Sequence, residues 1–177
     1  KSPFEFRPGY ELSRFHQIST DEVYGSIPNI SSVETDKYAP NSPYSASKAS
    51  ADHLVRSFNK TYGLNTSISI CSNNYGKNQH AEKFIPTIIR SILTKTHIPV
   101  YGDGLNVRDW IHVKDHCSAI DIIFNNSKEG ETYNVGANNE INNLLLIEII
   151  KNKFESNEKI KIKFLEDRHG HDRKYSL

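Results

Sequence analysis

The feature that most constrains the fold of this chain is the alternation of short apolar segments with longer amphipathic ones. The short segments predict strands at residues 15–20, 66–71, 97–101, 108–113, 131–135 and 160–165. The longer segments predict helices at residues 44–62, 82–95, 113–124 and 143–154, and Gly63 is a suitable stop for the first of them. Strands that alternate with helices favour an α/β fold with a mainly parallel sheet.

Two adjacent carboxylates, Asp21 and Glu22, directly follow the first predicted strand. They therefore lie at the carboxyl end of a strand, which is where ligands bind on open parallel sheets. In an extended chain, neighbouring side chains point to opposite faces, so the chain must turn just after Thr20 if both carboxylates are to reach one ligand. This geometry favours two separate acid–base roles over a pair that shares one proton.

A phenol and an ammonium group, Tyr44 and Lys48, stand four residues apart at the start of the first predicted helix. This spacing places both side chains on one face of a helix. A phenol titrates near pH ~10 when unperturbed, and a fixed cation beside it lowers that value. The pair is therefore a way to build a base for a sugar or alcohol hydroxyl. Alone it is a weak signal, but its combination with the segment from Thr20 to Gly25 argues against coincidence.

Composition excludes several classes of function. The 177 residues suffice for one core, and the net charge of +1 comes from charges of mixed sign, so no basic surface for nucleic acid is evident. The two cysteines, Cys71 and Cys117, indicate reduced thiols and not a disulfide framework. No apolar run is long enough to span a bilayer.

The histidines and glycines do not form a metal or nucleotide signature. His112 and His116 are separated by a predicted strand–helix boundary, and no third ligand stands at zinc-like spacing, so a metal site is not expected. The pair Gly102 and Gly104 lacks a third glycine and predicts a turn.

Two segments have readings that stay open. Asn73 and Asn74 suit either ligand binding or turn formation, because an amide both donates and accepts hydrogen bonds. The loop at residues 26–43 either covers the site or is a plain surface connection.

These segments together resemble the nucleotide-sugar 4,6-dehydratases of the extended short-chain dehydrogenase/reductase superfamily. The resemblance rests on Thr20-Asp21-Glu22 and on Tyr44-x-x-x-Lys48. It continues in the family's order through residues 71–76, 82–86, 108–110, 133–136 and 167–173. It implies a Rossmann-type doubly wound parallel sheet with a smaller mixed α/β substrate domain. Since the chain contains no Gly-rich phosphate loop, the amino-terminal half of that sheet is expected to be missing here.

The resemblance also implies a division of the chain and a reaction. Residues 1–72 and 105–136 would belong to the NAD-binding domain, and residues 73–104 and 137–177 to the nucleotide-sugar-binding part. The implied activity is that of an NAD-dependent lyase that removes water from dTDP-glucose and yields the 4-keto-6-deoxy sugar for deoxysugar biosynthesis. A cytoplasmic location and a homodimer are further expectations.

The same resemblance assigns roles to individual residues. Tyr44, assisted by Lys48, would remove the proton from the sugar 4-hydroxyl while hydride passes to NAD. Glu22 would be the base at C5, Asp21 the acid for the 6-hydroxyl, and Thr20 a donor to the 4-oxygen. Asp21 must then stay protonated at neutral pH, which burial or the neighbouring Glu22 charge would favour.

The implied binding residues form two sets. The expected cofactor contacts are Tyr44, Lys48 and Asn74. The expected substrate contacts are Thr20, Asn73, Lys83, Phe84, Pro99, Val100, Tyr101, Arg108, Asn143, Asp167, Arg168, His169, Gly170 and His171. His169 replaces the proline that is usual in the family. The alternatives are a related epimerase or decarboxylase, a dehydratase for another nucleotide sugar, and an inactive fragment that only binds a nucleotide sugar or a partner chain.

Overall fold

Within the residues that the structure describes, the fold is built from short strands and four α-helices, as the sequence pattern predicts. The computed structural model describes residues 14–27, 31–154 and 160–177, so the predicted connector at residues 1–13 lies outside the described residues. The strands are β1 Phe15–Thr20, β2 Thr66–Cys71, β3 Asn73–Tyr75, β4 Ile98–Tyr101, β5 Val107–His112, β6 Thr132–Val135, β7 Glu140–Asn142, β8 Ile162–Leu165 and β9 Lys174–Tyr175. The helices are α1 Pro43–Tyr62, α2 Phe84–Leu93, α3 Val113–Asn126 and α4 Asn143–Lys153, and a short 3₁₀ helix spans Asp21–Tyr24.

The first sheet is parallel and carries a helix on each face. Its strand order is β1-β2-β6, and Thr20, Cys71 and Val135 lie side by side at the carboxyl end. Because side chains alternate along a strand, Ile68 and Ile70 of β2 point to the face covered by α1, whereas Cys71 packs with the residues of α3 on the other face. A parallel sheet covered on both faces is the doubly wound arrangement that the sequence predicts.

A second sheet surrounds β5. This strand is parallel to β3 and β9 and antiparallel to β7, while β4 and β8 form a separate parallel pair. The predicted division of the chain places residues 105–136 with the first sheet, whereas β5 itself pairs within the second one. That division therefore stays a prediction, with β5 as the strand on which it depends.

The largest apolar core among the described residues lies between helices α2 and α4 and strands β4 and β5. Its buried members come from α2, β4, β5 and α4 and include Ile88, Ile98, Val100, Trp110 and Ile147. This core packs against β4 and β5, the strands that precede the Gly102–Gly104 turn and helix α3.

Most element boundaries agree with prediction, and the differences have local causes. β1 and β2 occupy the predicted residues. Helix α1 begins at Pro43 because Ser42 forms a capping box with Ser45. Helix α2 begins at Phe84, later than predicted, because Lys83 is extended and acts as its N-cap. None of the described helices is long and apolar enough to cross a membrane.

Candidate active site

The turn after β1 holds the two adjacent carboxylates. The extended residue Thr20 caps the 3₁₀ helix, and its hydroxyl accepts a hydrogen bond from the Glu22 backbone N–H at 3.4 Å. The Thr20 hydroxyl also donates to Oδ1 of Asp21 at 3.3 Å. The turn ends at Gly25, whose φ of 77° lies in the left-handed region. The predicted turn after Thr20 is therefore confirmed.

Asp21 is almost completely buried, with 2% of its surface exposed. Its Oδ2 atom has no hydrogen-bond partner among the described residues. Burial raises the pKa of Asp21 well above its usual value, and the adjacent Glu22 charge raises it further. Both causes were expected from the sequence, and they favour the neutral acid at neutral pH.

Glu22 has a different environment. Burial raises its pKa, the positive charge of Arg108 opposes that rise, and the charge of Asp172 adds to it, while Lys83 and His171 also oppose it. Arg108, Lys83 and His171 come from β5, from the start of α2 and from the last loop. The pKa of Glu22 therefore stays above its usual value, but charges from three elements limit the rise, whereas the more deeply buried Asp21 has a pKa well above its usual value.

Tyr44 reaches the same turn from the first turn of α1. Its phenol interacts with the Thr20 hydroxyl and with the charges of Glu22 and Asp21. Burial and these carboxylates raise the pKa of Tyr44, so the expected lowering by Lys48 is wrong for this structure. The physical reason is the position of the ammonium, because Lys48 Nζ donates to the carbonyl of Ile18 at 2.5 Å.

The carboxyl end of β2 contributes a thiol and an amide. Burial raises the pKa of Cys71 to about 11, which disfavours a nucleophilic thiolate. The Asn74 side chain donates to the carbonyl of Ser72 at 3.1 Å, and its oxygen pairs with Nδ1 of His116 at 2.8 Å. Asn73 and Asn74 belong to β3, so they do not form a turn. Sequence reasoning considered His116 only as a metal ligand, and its contact with Asn74 carries no local sequence signal.

The two histidines that were considered as metal ligands, His112 and His116, have other partners. The His112 ring accepts a hydrogen bond from the backbone N–H of Lys114 and caps α3. Among the described residues, no three His, Cys, Asp or Glu side chains are grouped in a way that could hold a metal ion.

The last loop folds over β4 and the turn that follows it. Arg168 lies over the Tyr101 ring, with 4.0 Å from its guanidinium carbon to the ring centre. The His171 ring pairs with Asp167 at 2.6 Å, and Arg173 forms an ion pair with Asp103 at 2.7 Å. The structure therefore brings together Tyr101, Asp167, Arg168 and His171, which sequence resemblance grouped as substrate contacts.

Arg108 is buried, and its guanidinium donates to backbone carbonyls. Its Nη atoms bond the carbonyls of Val107 at 2.7 Å and Asp172 at 2.8 Å, and the group lies 3.7 Å from the centre of the Tyr175 ring. In this structure the residue ties the last loop to β5, while its charge acts on Glu22.

The other predicted substrate residues lie at the ends or along the sides of their elements. Lys83 caps α2, and Phe84 begins that helix and packs against the largest core. Pro99 is partly buried in β4, whereas Val100 is 1% exposed and belongs to the core. Asn143 begins α4, and its N–H donates to the carbonyl of Asn106. His169 and Gly170 lie in the last loop, with Gly170 at a φ of 70°.

The loop after the 3₁₀ helix packs along the carboxyl-terminal segment. Ile27 and Ser32 donate backbone hydrogen bonds to the carbonyls of Lys174 and Ser176, and the Asn41 amide donates to Oδ1 of Asp172 at 2.6 Å. The described part of this loop thus links the start of α1 to the last loop.

Comparison with known proteins identifies relatives of this chain. The family model described as GDP-mannose 4,6 dehydratase matches residues 7–176. The dTDP-glucose 4,6-dehydratase of Salmonella typhimurium is 46% identical over 182 residues, which cover 93% of this chain and 50% of that protein. The chain spans about half the length of the curated relatives it matches.

Solved structures agree with this result. A dTDP-glucose 4,6-dehydratase from Bacillus anthracis in complex with NAD superposes with a TM-score of 0.88 at 47% identity, covering 93% of this chain and 52% of the other. A dTDP-glucose 4,6-dehydratase from Streptomyces venezuelae gives a TM-score of 0.89 at 43% identity, with 93% and 51% covered. The Rossmann-type α/β fold expected from the sequence is thereby confirmed. Since the family model covers nearly the whole sequence, this chain belongs to the GDP-mannose 4,6-dehydratase family.

Proposed function

We propose that this chain supplies the acid–base residues of an NAD-dependent dTDP-glucose 4,6-dehydratase. This enzyme is a lyase that converts dTDP-glucose to dTDP-4-keto-6-deoxyglucose for deoxysugar biosynthesis. The names of the most similar relatives support this substrate. The single observation that carries the proposal is the contrast between two neighbouring carboxyl groups: Asp21 is almost completely buried with an unpartnered oxygen, whereas the rise that burial causes in the pKa of Glu22 is opposed by the charges of Arg108 and Lys83. Such a contrast identifies an acid and a base within one site.

The residues at the end of β1 and β2 fit a nicotinamide cofactor. Lys48 uses one donor on the Ile18 carbonyl, and its remaining two donors suit ribose hydroxyls. The Ser72 hydroxyl is buried at the same edge and has no partner among the described residues. Tyr44 and Lys48 would hold the ribose. When bound, NAD supplies the oxidation at C4 and the reduction at C6 that accompany the loss of water.

The side chains of this chain then handle the protons. Tyr44 takes the proton of the sugar 4-hydroxyl, and Thr20 donates a hydrogen bond to the 4-oxygen. Glu22 removes the proton at C5. Asp21, kept neutral by burial, donates a proton to the departing 6-hydroxyl. Groups placed in this way contribute roughly 10²–10⁴-fold each to the rate.

The raised pKa of Tyr44 bears on its role. A phenol with a raised pKa is mostly protonated at neutral pH, so Tyr44 would accept the 4-hydroxyl proton from its minor phenolate form, in the step in which hydride leaves C4 and the O–H bonding pair forms the C4=O bond. The Thr20 hydroxyl, which interacts with the phenol, would keep the proton path short.

Positive charge around the last loop supports recognition of the nucleotide diphosphate. Lys83 and Arg108 act on the Glu22 charge, as does His171, so all three approach the sugar end of the site. Arg168 is held by the Tyr101 ring, which orients its planar donors. Tyr101 and Asp167 would contact the nucleotide from the same side.

A homodimer and a cytoplasmic location belong to the same proposal. Leu54, Phe58 and Tyr62 recur every fourth residue along α1 and are exposed. An exposed apolar stripe at this spacing suits a helix-to-helix contact between two copies of the chain.

Turnover of a protein of the relatives' full length that carries this chain tests the proposed function. With dTDP-glucose in deuterated water, we expect a 6-deoxy-4-keto product that carries solvent deuterium. Glu22→Gln should lower the rate of water loss by roughly 10²–10⁴-fold. Glu148→Gln, an exposed change on α4, is the matched control. Faster turnover of UDP-glucose or GDP-glucose than of dTDP-glucose would reject thymidine as the preferred nucleoside. A product that is inverted at C4 and keeps its 6-hydroxyl would show that the enzyme is an epimerase.

A further inference from the structure

We propose that Asp52 is a positioning residue, which holds α1 against β1 so that the Tyr44 phenol meets the Thr20 hydroxyl. The inference rests on the proposed function, because it concerns the efficiency of the same site. Asp52 belongs to none of the groups that were assigned a role above, and it acts through its neighbours.

The contacts of Asp52 join the catalytic helix to the catalytic strand. The side chain is fully buried, and its Oδ2 accepts hydrogen bonds from the Ser19 hydroxyl at 2.5 Å and from the Tyr38 hydroxyl at 3.0 Å. Ser19 directly precedes Thr20, and Asp52 lies two helical turns after Tyr44. One carboxylate therefore spans the distance between the two segments whose hydroxyls must meet.

Tyr38 extends the contacts of Asp52 to strand β6 and to the 3₁₀ helix. Its hydroxyl accepts a hydrogen bond from Arg56 at 2.8 Å, and the same Arg56 Nη2 donates to Thr132 of β6 at 3.1 Å. The edge of Tyr24, in the 3₁₀ helix, packs on the Tyr38 ring with 5.5 Å between ring centres. The Asp52 network thus touches α1, β1, β6 and the 3₁₀ helix.

Apolar contacts alone do not set the position of α1 along the sheet. Ala49 and Val55 pack on Ile68 and Ile70, and contacts of this kind are non-directional. Hydrogen bonds are directional, and two of them join α1 to β1, from Lys48 to the Ile18 carbonyl and from Ser19 to Asp52. Lys48 reaches β1 on a long flexible side chain, so the short and fully buried Asp52 is the more rigid link that fixes how far along β1 the helix lies. Misplacement of a reacting group by about 1 Å is enough to cost 10²-fold in rate. Loss of the carboxylate should therefore reduce turnover more than it reduces folding or substrate binding.

The test compares three variants in a protein of the relatives' full length. Asp52→Ala removes the acceptor, Asp52→Asn keeps its shape and one acceptor oxygen, and Asp121→Ala removes an exposed carboxylate from α3 as the matched control. The measurements are kcat and KM with dTDP-glucose per mole of folded protein. A second readout is the NMR titration of ¹³Cζ-labelled tyrosine, with the Tyr44 signal assigned from Tyr44→Phe.

We expect Asp52→Ala to lower kcat by roughly 10–100-fold with KM changed less than about threefold. The Tyr44 titration should also move towards that of a free phenol, as the ring leaves Thr20 and the carboxylates. Asp52→Asn should recover most of the parental kcat and most of the parental Tyr44 titration, and Asp121→Ala should match the parent in both. An unchanged kcat and Tyr44 titration in folded Asp52→Ala would overturn the proposal, and so would a rise in KM with kcat unchanged.

Two further outcomes are informative. If Asp52→Ala does not fold, Ser19→Ala decides, since it removes only the donor next to Thr20, and parental kcat and Tyr44 titration in that variant overturn the proposal. If the parent does not dehydrate dTDP-glucose but the Tyr44 titration moves in Asp52→Ala, the proposed function fails and the positioning role stands.

Discussion

At the scale of single residues, burial distinguishes the two neighbouring carboxyl groups that we propose as acid and base. Asp21 and Glu22 share one short helical turn and differ by one position. The first points into the protein with an unpartnered oxygen, and the second faces charges of Arg108, Lys83 and His171. Desolvation disfavours a charge, whereas nearby cations favour a carboxylate. The different roles that we propose for Asp21 and Glu22 thus follow from where their side chains point and not from the type of residue.

The first prediction concerns the stability of Asp21→Asn. The folded-state pKa of Asp21 is raised above its usual 3.8, so its favourable contribution is fully present below pH 3.8 and is lost as pH rises through the folded-state pKa. Each unit of that rise corresponds to about 1.4 kcal/mol. We expect Asp21→Asn to raise Tm at pH 7.5 by at least about 2–4 °C and to lower the dehydration rate.

Thermal unfolding at several pH values checks this sign. Near pH 3.5 the variant and the parent should unfold at similar temperatures, because Asp21 is then neutral in both states. The exposed Asp121→Asn serves as the control and should show no such trend. A parent that gains stability over Asp21→Asn between pH 5 and pH 8 would contradict the neutral-acid assignment.

At the scale of elements, two glycines confine the chain just before α1. A Cβ on Gly25 would lie 2.2 Å from the carbonyl oxygen of Ala39, and a Cβ on Gly170 would lie 2.8 Å from that of Asn41. Helix α1 starts at Pro43, immediately afterwards. The path of the chain into α1 is therefore restricted by close backbone contacts at Gly25 and at Gly170.

Gly25→Ala should consequently move the start of α1 and damage the site. The new methyl group meets backbone, which cannot turn aside, and the φ of 77° is unfavourable for alanine. Gly63→Ala is the control for a positive φ in the left-handed helical region, because its φ is 66° and its ψ is 25° and nothing lies within 4 Å of the added carbon. By contrast, the ψ of -163° at Gly25 belongs to a region that essentially only glycine adopts. We expect a cost of about 1 kcal/mol in the free energy of unfolding for the control. Gly25→Ala should lower the free energy of unfolding, measured by denaturant titration, by at least about twice that value, and it should also lower turnover. Equal effects would show that only the backbone angle matters.

The sequence predicts those parts of the structure that depend on local pattern. Periodicity located β1, β2 and α1, and residue chemistry located the turn that follows Thr20. The short strands β3, β7 and β9 were not predicted, because two or three residues carry no period and acquire strand form by pairing with β5. The expected effect of Lys48 on Tyr44 was wrong for a related reason. The position of an ammonium on a long flexible side chain depends on a carbonyl supplied by another segment.

At the scale of the whole molecule, β1 forms one edge of the described parallel sheet. Phe15 and Ile18 on this strand are 50% and 44% exposed. Edge strands with exposed apolar side chains recruit further strands from other chains. The turn that holds Asp21 and Glu22 is thus carried by one of the two edge strands of the described sheet, β6 being the other.

We therefore expect the 177-residue chain alone to self-associate through β1. Ile18→Lys should reduce that association, because a charged edge opposes strand pairing. Ile122→Lys, which changes an exposed apolar residue on α3, is the control and should leave association through the edge intact. Light scattering over a range of concentrations measures the effect. If both substitutions act equally, general surface hydrophobicity drives association and β1 has no special part.

The buried guanidinium of Arg108 has a consequence for evolutionary divergence. Because it grips main-chain oxygens at Val107 and Asp172, the anchorage of the final loop does not depend on which side chains that loop carries. Arg168 and His169 can thereby change in identity while that anchorage stays as it is, whereas Gly170 is confined by the Asn41 carbonyl. Under the proposed function, single substitutions at Arg168 and His169 would alter the preference for a sugar nucleotide and leave the proton-handling groups untouched.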